Sequence, residues 1–422
     1  MTTRGPDRRS LLLGGLAGAA AVVPAAMAAA EPAAAQVPAK PSAPAINRNL
    51  PDVVVVGSGA FGGWTALELR ERGARVTLVD QYGPGNPRAS SGDESRLIRS
   101  SYGDREIYTR WADEAFGLWH ERQEEFGRRL IYPNGSLRVV PPASFAAQRV
   151  IFDKLGLAYE ILTPDEVHKR WPQVRYDDAE QVIFEPKSGV VKARESMIAV
   201  SEAFMQKGGV IRSGKAAPGR AGADGLLNGV TVDGETLAAG QVVFACGPWL
   251  PKVLPTLLGD RIKTPRREIF YIGSPPDDRR YRWEHMPNLA DHLTYTAADI
   301  DYGTKIAATL RDIPMDPDHG DRMPSSFLAE QVRDYVATRL PGLVGQPIVA
   351  ARVCQTENSD NSHYIIDRHP EHANAWVAGG GSGHAFKMGP KLGRYIADRV
   401  LGVPQPAELD AVFSLASHGP VT

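Results

Sequence analysis

The sequence predicts an α/β protein, with a parallel-sheet domain assembled from discontinuous segments and a second domain built on a mixed β-sheet. Three observations predict this. Val53 to Val56 is a β-branched run that delivers a glycine-rich turn to a helical pattern, as a strand buried on both faces does. Ala375 to Ala378 does the same near the far end of the chain, leading into Gly379-Gly380-Gly381-Ser382-Gly383. Between them, runs such as Arg266 to Ile272, Leu293 to Thr296 and Lys305 to Leu310 supply strands for a separate sheet.

The first unit, Asp52 to Asp80, is the most specific. Gly57, Gly59 and Gly62 form a complete G-x-G-x-x-G. Gly57 permits the tight turn, Gly59 lets backbone approach a pyrophosphate, and Gly62 lets the helix pack close to the sheet. A helix follows, with Leu67 and Leu69 among charged residues, and stops at Gly73. Arg75 to Val79 reads as the next strand and ends on Asp80. The helix N-terminus stabilises phosphate charge and Asp80 accepts from ribose hydroxyls. An acid there disfavours a 2′-phosphate, so FAD or NAD is expected before NADP. Strand, glycines, helix, strand and acid in this order define a Rossmann-like unit, where a lone motif would be weak. A glycine turn without ligand is the bland alternative.

The chain has 422 residues, a formal net charge of −1 and two cysteines. That is long enough for two sizeable cores, gives no electrostatic reason to expect nucleic acid, and is not a disulfide scaffold. Residues 1–36 read as an export signal: Arg8-Arg9-Ser10-Leu11-Leu12 matches a twin-arginine motif before a weakly apolar, small-residue stretch. An ordinary secretory signal or an uncleaved anchor are the alternatives. The expected location is periplasmic or secreted, after folded export. Residues 37–51 form a linker. The expected nucleotide-binding domain takes 52–129, 184–252 and 345–407. The substrate domain takes 130–183 and 253–344, and 408–422 is a tail.

After Asp80 a long polar loop carries Arg96 and Arg99, which share a face if that segment is helical. Two solvated arginines are the alternative. Tyr108 to Phe126 reads as an amphipathic helix. Thr163 and Glu166 form a capping box. Asp233-Gly234 marks a hairpin. Gln241 to Cys246 is an apolar strand, with Cys246 expected in the core. Phe327 to Leu340 and Pro390 to Leu401 read as helices.

Taken together, SSGDESRLIRSSYG, IFEPKSGVV, ARVCQTENSDNSHYIIDRHPEH and GGGSGHAFKMGPKLG resemble the monomeric sarcosine oxidase and N-methyltryptophan oxidase group of flavin amine oxidases. The match runs from about Val53 to Leu401. The resemblance implies FAD extended along the first domain, on Gly57, Gly59, Gly62 and Asp80, with Gly381 and Gly383 at the second turn. It implies that Cys354 carries the flavin covalently and that Arg96 packs by its ring. It implies that Arg99 and Lys387 hold a substrate carboxylate and that Lys305 assists oxygen reduction. His384 either orients substrate or satisfies a backbone carbonyl. The family's sarcosine-active members differ at the positions of Thr309 and Thr356, so the amine itself stays open. The implied reaction is oxidation of a C–N bond in a secondary amine or N-substituted amino acid. It gives an imine that hydrolyses, with oxygen reduced to peroxide, in a monomer.

On its residues alone, Cys354 has three readings: an inert thiol, a partner for Cys246, or a flavin attachment point. Lys305 on a strand is ordinarily a solvated edge residue. A dehydrogenase that passes electrons to a carrier, and a flavin-binding protein without turnover, are the functional alternatives.

Overall fold

The computed structural model describes residues 45–291, 294–308 and 313–420. The expected export signal with Arg8 and Arg9, and Thr309, lie outside the described residues.

The six-stranded sheet has the order Ile365–Arg368, Ala375–Gly379, Gln241–Phe244, Val53–Val56, Val76–Asp80 and Val210–Ser213. All its pairings are parallel except that of Ile365–Arg368 with Ala375–Gly379. The valine run lies at the centre and is fully buried, which explains its lack of alternation. The sheet is therefore built from both ends of the chain and from its middle. The first helix packs against a later one near the C-terminal end. Gly389 and Gly393 of the helix Gly389–Val400 lie against Trp64 of the helix Gly62–Glu71, where a Cβ would come within 2.4 and 2.7 Å of it.

An eight-stranded mixed sheet forms the second layer. Its order is Ile348–Gln355, Arg266–Ile272, Thr304–Ala308, Thr294–Ala297, Asn288–Ala290, Ser136–Val139, Val182–Glu185 and Glu160–Leu162. Only Asn288–Ala290 and Ser136–Val139 pair in parallel. Alternation divides its two faces. Phe270, Ile272 and Ile306 pack in a core with Val332 and Val336 of the helix Ser326–Arg339. Ile269, Tyr271, Ala307 and Cys354 cluster on the opposite face. The strand Ile348–Gln355 lies within the expected 345–407 segment yet pairs in this sheet, so the chain crosses between layers immediately after Cys354.

The capping box at Thr163 and Glu166 is present, and so is the hairpin at Asp233-Gly234, with φ of 49° and 90° at its turn. The segment with Arg96 is not helical. Ser95–Ile98 is a strand paired with Gly189–Lys192. The helical i,i+3 argument for Arg96 and Arg99 therefore fails: Arg96 lies on the strand and Arg99 just beyond its end, and both nevertheless line one cleft.

Candidate active site

A cleft of about 610 Å³ lies between the two sheets. It is lined by Gly57, Gly59, Asp80, Arg96, Arg99, Cys354, Gly381, Gly383, His384 and Lys387. The expected residues outside this lining are Gly62 and Lys305.

Gly62 works from behind, as its motif position requires. A Cβ there would sit 1.9 Å from the Gly57 carbonyl oxygen, so only glycine lets the helix start so close to the turn. Gly57 itself has φ of +105°, a region L side chains rarely adopt. The helix begins at Phe61 without a side-chain cap, which leaves its first amides available to an anion.

Asp80 is held rigidly. Its Oδ2 accepts from the Ser58 amide and hydroxyl at 2.7 and 2.8 Å, and its Oδ1 accepts from the Tyr82 and Gly83 amides, both at 2.8 Å. Ser58, inside the glycine motif, therefore positions the acid.

At the second glycine turn, Gly380 and Gly383 have positive φ, and so does Ser382 at 48°. The Ser382 amide donates to the Glu357 carbonyl at 2.7 Å, tying the turn to the segment after Cys354. Four consecutive residues lining the cleft there have a buried side-chain oxygen without a hydrogen-bond partner: Gln355, Thr356, Glu357 and Asn358. Such a run of orphaned acceptors fits a polar ligand laid against it. Burial pushes the Glu357 carboxyl up to about 8, only partly opposed by the Gly381 amide.

Cys246 is partly buried and packs against the core beneath the valine strand, with a second face on the cleft. Both cysteines are free thiols, which removes the Cys246–Cys354 pairing. Cys354 faces Arg267 across the sheet. Burial pushes its thiol up, and the Arg96 guanidinium opposes that.

Lys305 is neither solvated nor at an edge. Its strand runs between Arg266–Ile272 and Thr294–Ala297. Its ammonium pairs with Asp93, donates to the Ser95 carbonyl at 2.5 Å, and lies 5.5 Å from the centre of the Tyr295 ring. It lines a smaller adjoining cavity of about 210 Å³ with Ser95 and Tyr271. Arg96 reaches the same Asp93 oxygen at 2.8 Å, and the Tyr271 hydroxyl donates to the other at 2.8 Å. Burial alone would raise the Asp93 carboxyl, but Lys305 and Arg96 outweigh it and hold it well below the usual range. Sequence reasoning missed Asp93, although it lies within the SSGDESRLIRSSYG segment that carries the resemblance.

On the other side of the cleft, Lys387 is buried and donates to the Tyr102 hydroxyl at 2.8 Å. Burial and the nearby Arg99 hold its ammonium well below the ordinary lysine range. The His384 ring is fully engaged. Its Nε2–H donates to the Ser362 carbonyl at 3.1 Å and its Nδ1 accepts from the Tyr364 hydroxyl at 3.0 Å. Burial and Lys387 lower it to about 3, which keeps the ring neutral. Arg138, Tyr102 and Glu185 were also missed by sequence reasoning. The IFEPKSGVV segment that carries Glu185 was the available signal.

This fold and cleft define a dinucleotide-binding protein of the Rossmann type. Residues 52–399 match the FAD dependent oxidoreductase (DAO) family, and the chain belongs to it. It is 28% identical to monomeric sarcosine oxidase of Streptomyces avermitilis over 365 residues, covering 83% of this chain and 93% of that protein. It is also 28% identical to N-methyl-L-tryptophan oxidase of Yersinia pestis over 382 residues, covering 86% of this chain and 98% of that protein. Among solved structures it is similar to L-proline dehydrogenase from P. horikoshii, with a TM-score of 0.75 at 20% identity over 86% of this chain and 96% of that chain. The protein is thus an FAD-dependent oxidoreductase. The glycine cradle, the bare helix start and the orphaned acceptors at 355–358 fit that cofactor.

Proposed function

We propose that the protein oxidises the C–N bond of an N-substituted amino acid to an imine, which water hydrolyses to an amine plus an aldehyde or oxo acid. The carrying observation is that Arg99 and Lys387, 288 positions apart by their numbers, converge on the cleft that also holds Arg96 and Cys354. Bound FAD supplies the two-electron oxidation and passes the electrons to oxygen as hydrogen peroxide.

The chain's own residues do the rest. Arg99 binds a substrate carboxylate by parallel hydrogen bonds, and Lys387 adds a point charge. The carboxylate restores charge to the Lys387 ammonium, which burial and Arg99 otherwise disfavour. The same cations lower the pKa of the substrate amine, which must be unprotonated to react. Tyr102 and the neutral His384 fix the lysine, whose ammonium also reaches the His384 carbonyl at 3.4 Å. Gly57, Gly59 and Asp80 hold the FAD pyrophosphate and ribose. With FAD bound, Cys354 would be its attachment point, Arg96 would face the flavin from the cleft wall, and Lys305 would supply positive charge for oxygen reduction.

The test is anaerobic mixing of the flavoprotein with N-methyl amino acids, followed by air. Bleaching and then peroxide release are expected. Bleaching with reoxidation only by a dye would make it a dehydrogenase. No bleaching by any N-substituted amino acid would sink the proposal. The twin arginine further supports folded export. Arg8→Lys with Arg9→Lys is expected to retain the protein in the cytoplasm, and unchanged export would point to another route.

A further inference from the structure

The cationic side of the cleft holds more positive charge than one carboxylate uses. Arg99, Arg138 and Lys387 all line it. Arg138 lies on the strand Ser136–Val139, next to Leu137, which is buried in the core on the far face. Alternation turns Arg138 the other way, into the cleft. Among the described residues, the hydrogen bonds of these cations go to neutral groups. Arg138 reaches Gln148 Oε1 at 3.5 Å, Lys387 reaches the Tyr102 hydroxyl at 2.8 Å, and Arg99 reaches the Ser101 carbonyl. Glu185 is the nearby carboxylate, and its oxygens accept from the Ser100 amide and the Ser101 hydroxyl.

Arg99 disfavours the charged forms of both Lys387 and Arg138, and the Glu185 carboxylate partly opposes it at both. Burial and Arg99 bring Arg138 down to about 10. Holding an under-paired guanidinium beside a like charge is unfavourable unless a ligand supplies the counter-charge. Three cations set against Glu185 and one substrate carboxylate leave one positive charge over, and Arg138, whose side-chain hydrogen bond is the 3.5 Å contact to Gln148, faces the cleft with it.

We infer that Arg138 binds a second carboxylate of the substrate, so that the preferred substrate is an N-substituted acidic amino acid. This rests on the proposal that Arg99 and Lys387 hold the first carboxylate. A neutral side chain in the same place would leave the guanidinium desolvated without a partner, which disfavours such substrates.

The experiment compares N-methylaspartate and N-methylglutamate with N-methylalanine, each as both enantiomers, on wild type, Arg138→Met and Arg138→Lys. Wild type is expected to favour an acidic substrate by about 10-fold or more in kcat/KM. In Arg138→Met that ratio is expected to fall by about 30-fold, through KM. Arg138→Lys is expected to keep part of it. A second readout is equilibrium binding of glutarate against acetate, followed by the flavin absorbance, which needs no turnover. Glutarate is expected to bind more tightly, and to lose that advantage in Arg138→Met. A wild-type preference for N-methylalanine, or an unchanged ratio in Arg138→Met, overturns the inference and leaves the oxidase proposal standing. If no N-methyl amino acid is oxidised, that proposal fails, and the glutarate comparison still decides the role of Arg138.

Discussion

Lys305 and Asp93, 212 positions apart in the chain, form a buried ion pair in which each side chain is only 1% exposed. Arg96 shares the same carboxylate oxygen at 2.8 Å. Asp93 thus ties the strand that carries Arg96 to the interior strand that carries Lys305, and fixes both cations on the cleft side of the mixed sheet.

Asp93→Asn should therefore destabilise the protein by about 3–5 kcal/mol, since removing one partner leaves two buried cations short of a counter-charge. The Asp93 carboxyl is held below its ordinary value, so its stabilisation is complete above the unfolded carboxylate range and lost as pH falls through the lower folded value. Denaturant unfolding of wild type and variant at neutral and acid pH measures both effects. Equal stabilities at neutral pH would show that the pair contributes little.

Lys305→Met removes the ammonium but keeps an apolar chain of similar length. Flavin reoxidation by oxygen should slow far more than flavin reduction by substrate, as expected of a preorganised charge. Rapid-mixing kinetics separates the half-reactions. Equal losses in both would assign Lys305 to structure alone.

Gly62→Ala places a Cβ 1.9 Å from the Gly57 carbonyl oxygen and 3.1 Å from the Ala245 Cβ. The contact is with backbone, which cannot swing away. A loss of about 1–3 kcal/mol or more is expected, with weakened FAD binding. Flavin content and thermal unfolding report it. Retention of full flavin and stability would show that the helix start can shift freely.

Glu357→Gln tests the raised carboxyl. Its folded value of about 8 exceeds the ordinary 4.5, so the native state retains a proton that the unfolded chain releases. Stability from this group falls as pH rises from 4.5 towards about 8 and then levels. Glutamine is neutral throughout, so the variant should lose that slope. Thermal unfolding across this range checks it, and an unchanged slope would place the titration elsewhere.

Cys354→Ser should convert covalent flavin to dissociable flavin. Acid precipitation is expected to leave the colour with wild-type protein and release it from the variant. Colour released from wild type would exclude attachment at Cys354.

What the sequence determined by itself was local and contiguous. The buried valine strand, the glycine turn with Gly57 and Gly62, the helix and Asp80 follow one another within a single unit, so each constraint lies beside the next. The second glycine turn was legible for the same reason, as were the capping box and the hairpin. Tertiary structure alone decided the rest. It made Ser95–Ile98 a strand, through pairing with Gly189–Lys192, although its polar loop context pointed elsewhere. It buried Lys305 against Asp93 and turned Arg138 into the cleft beside Arg99. Charged residues read singly are solvated by default. Their burial depends on partners that sheet pairing brings from distant positions, and no local pattern encodes that meeting.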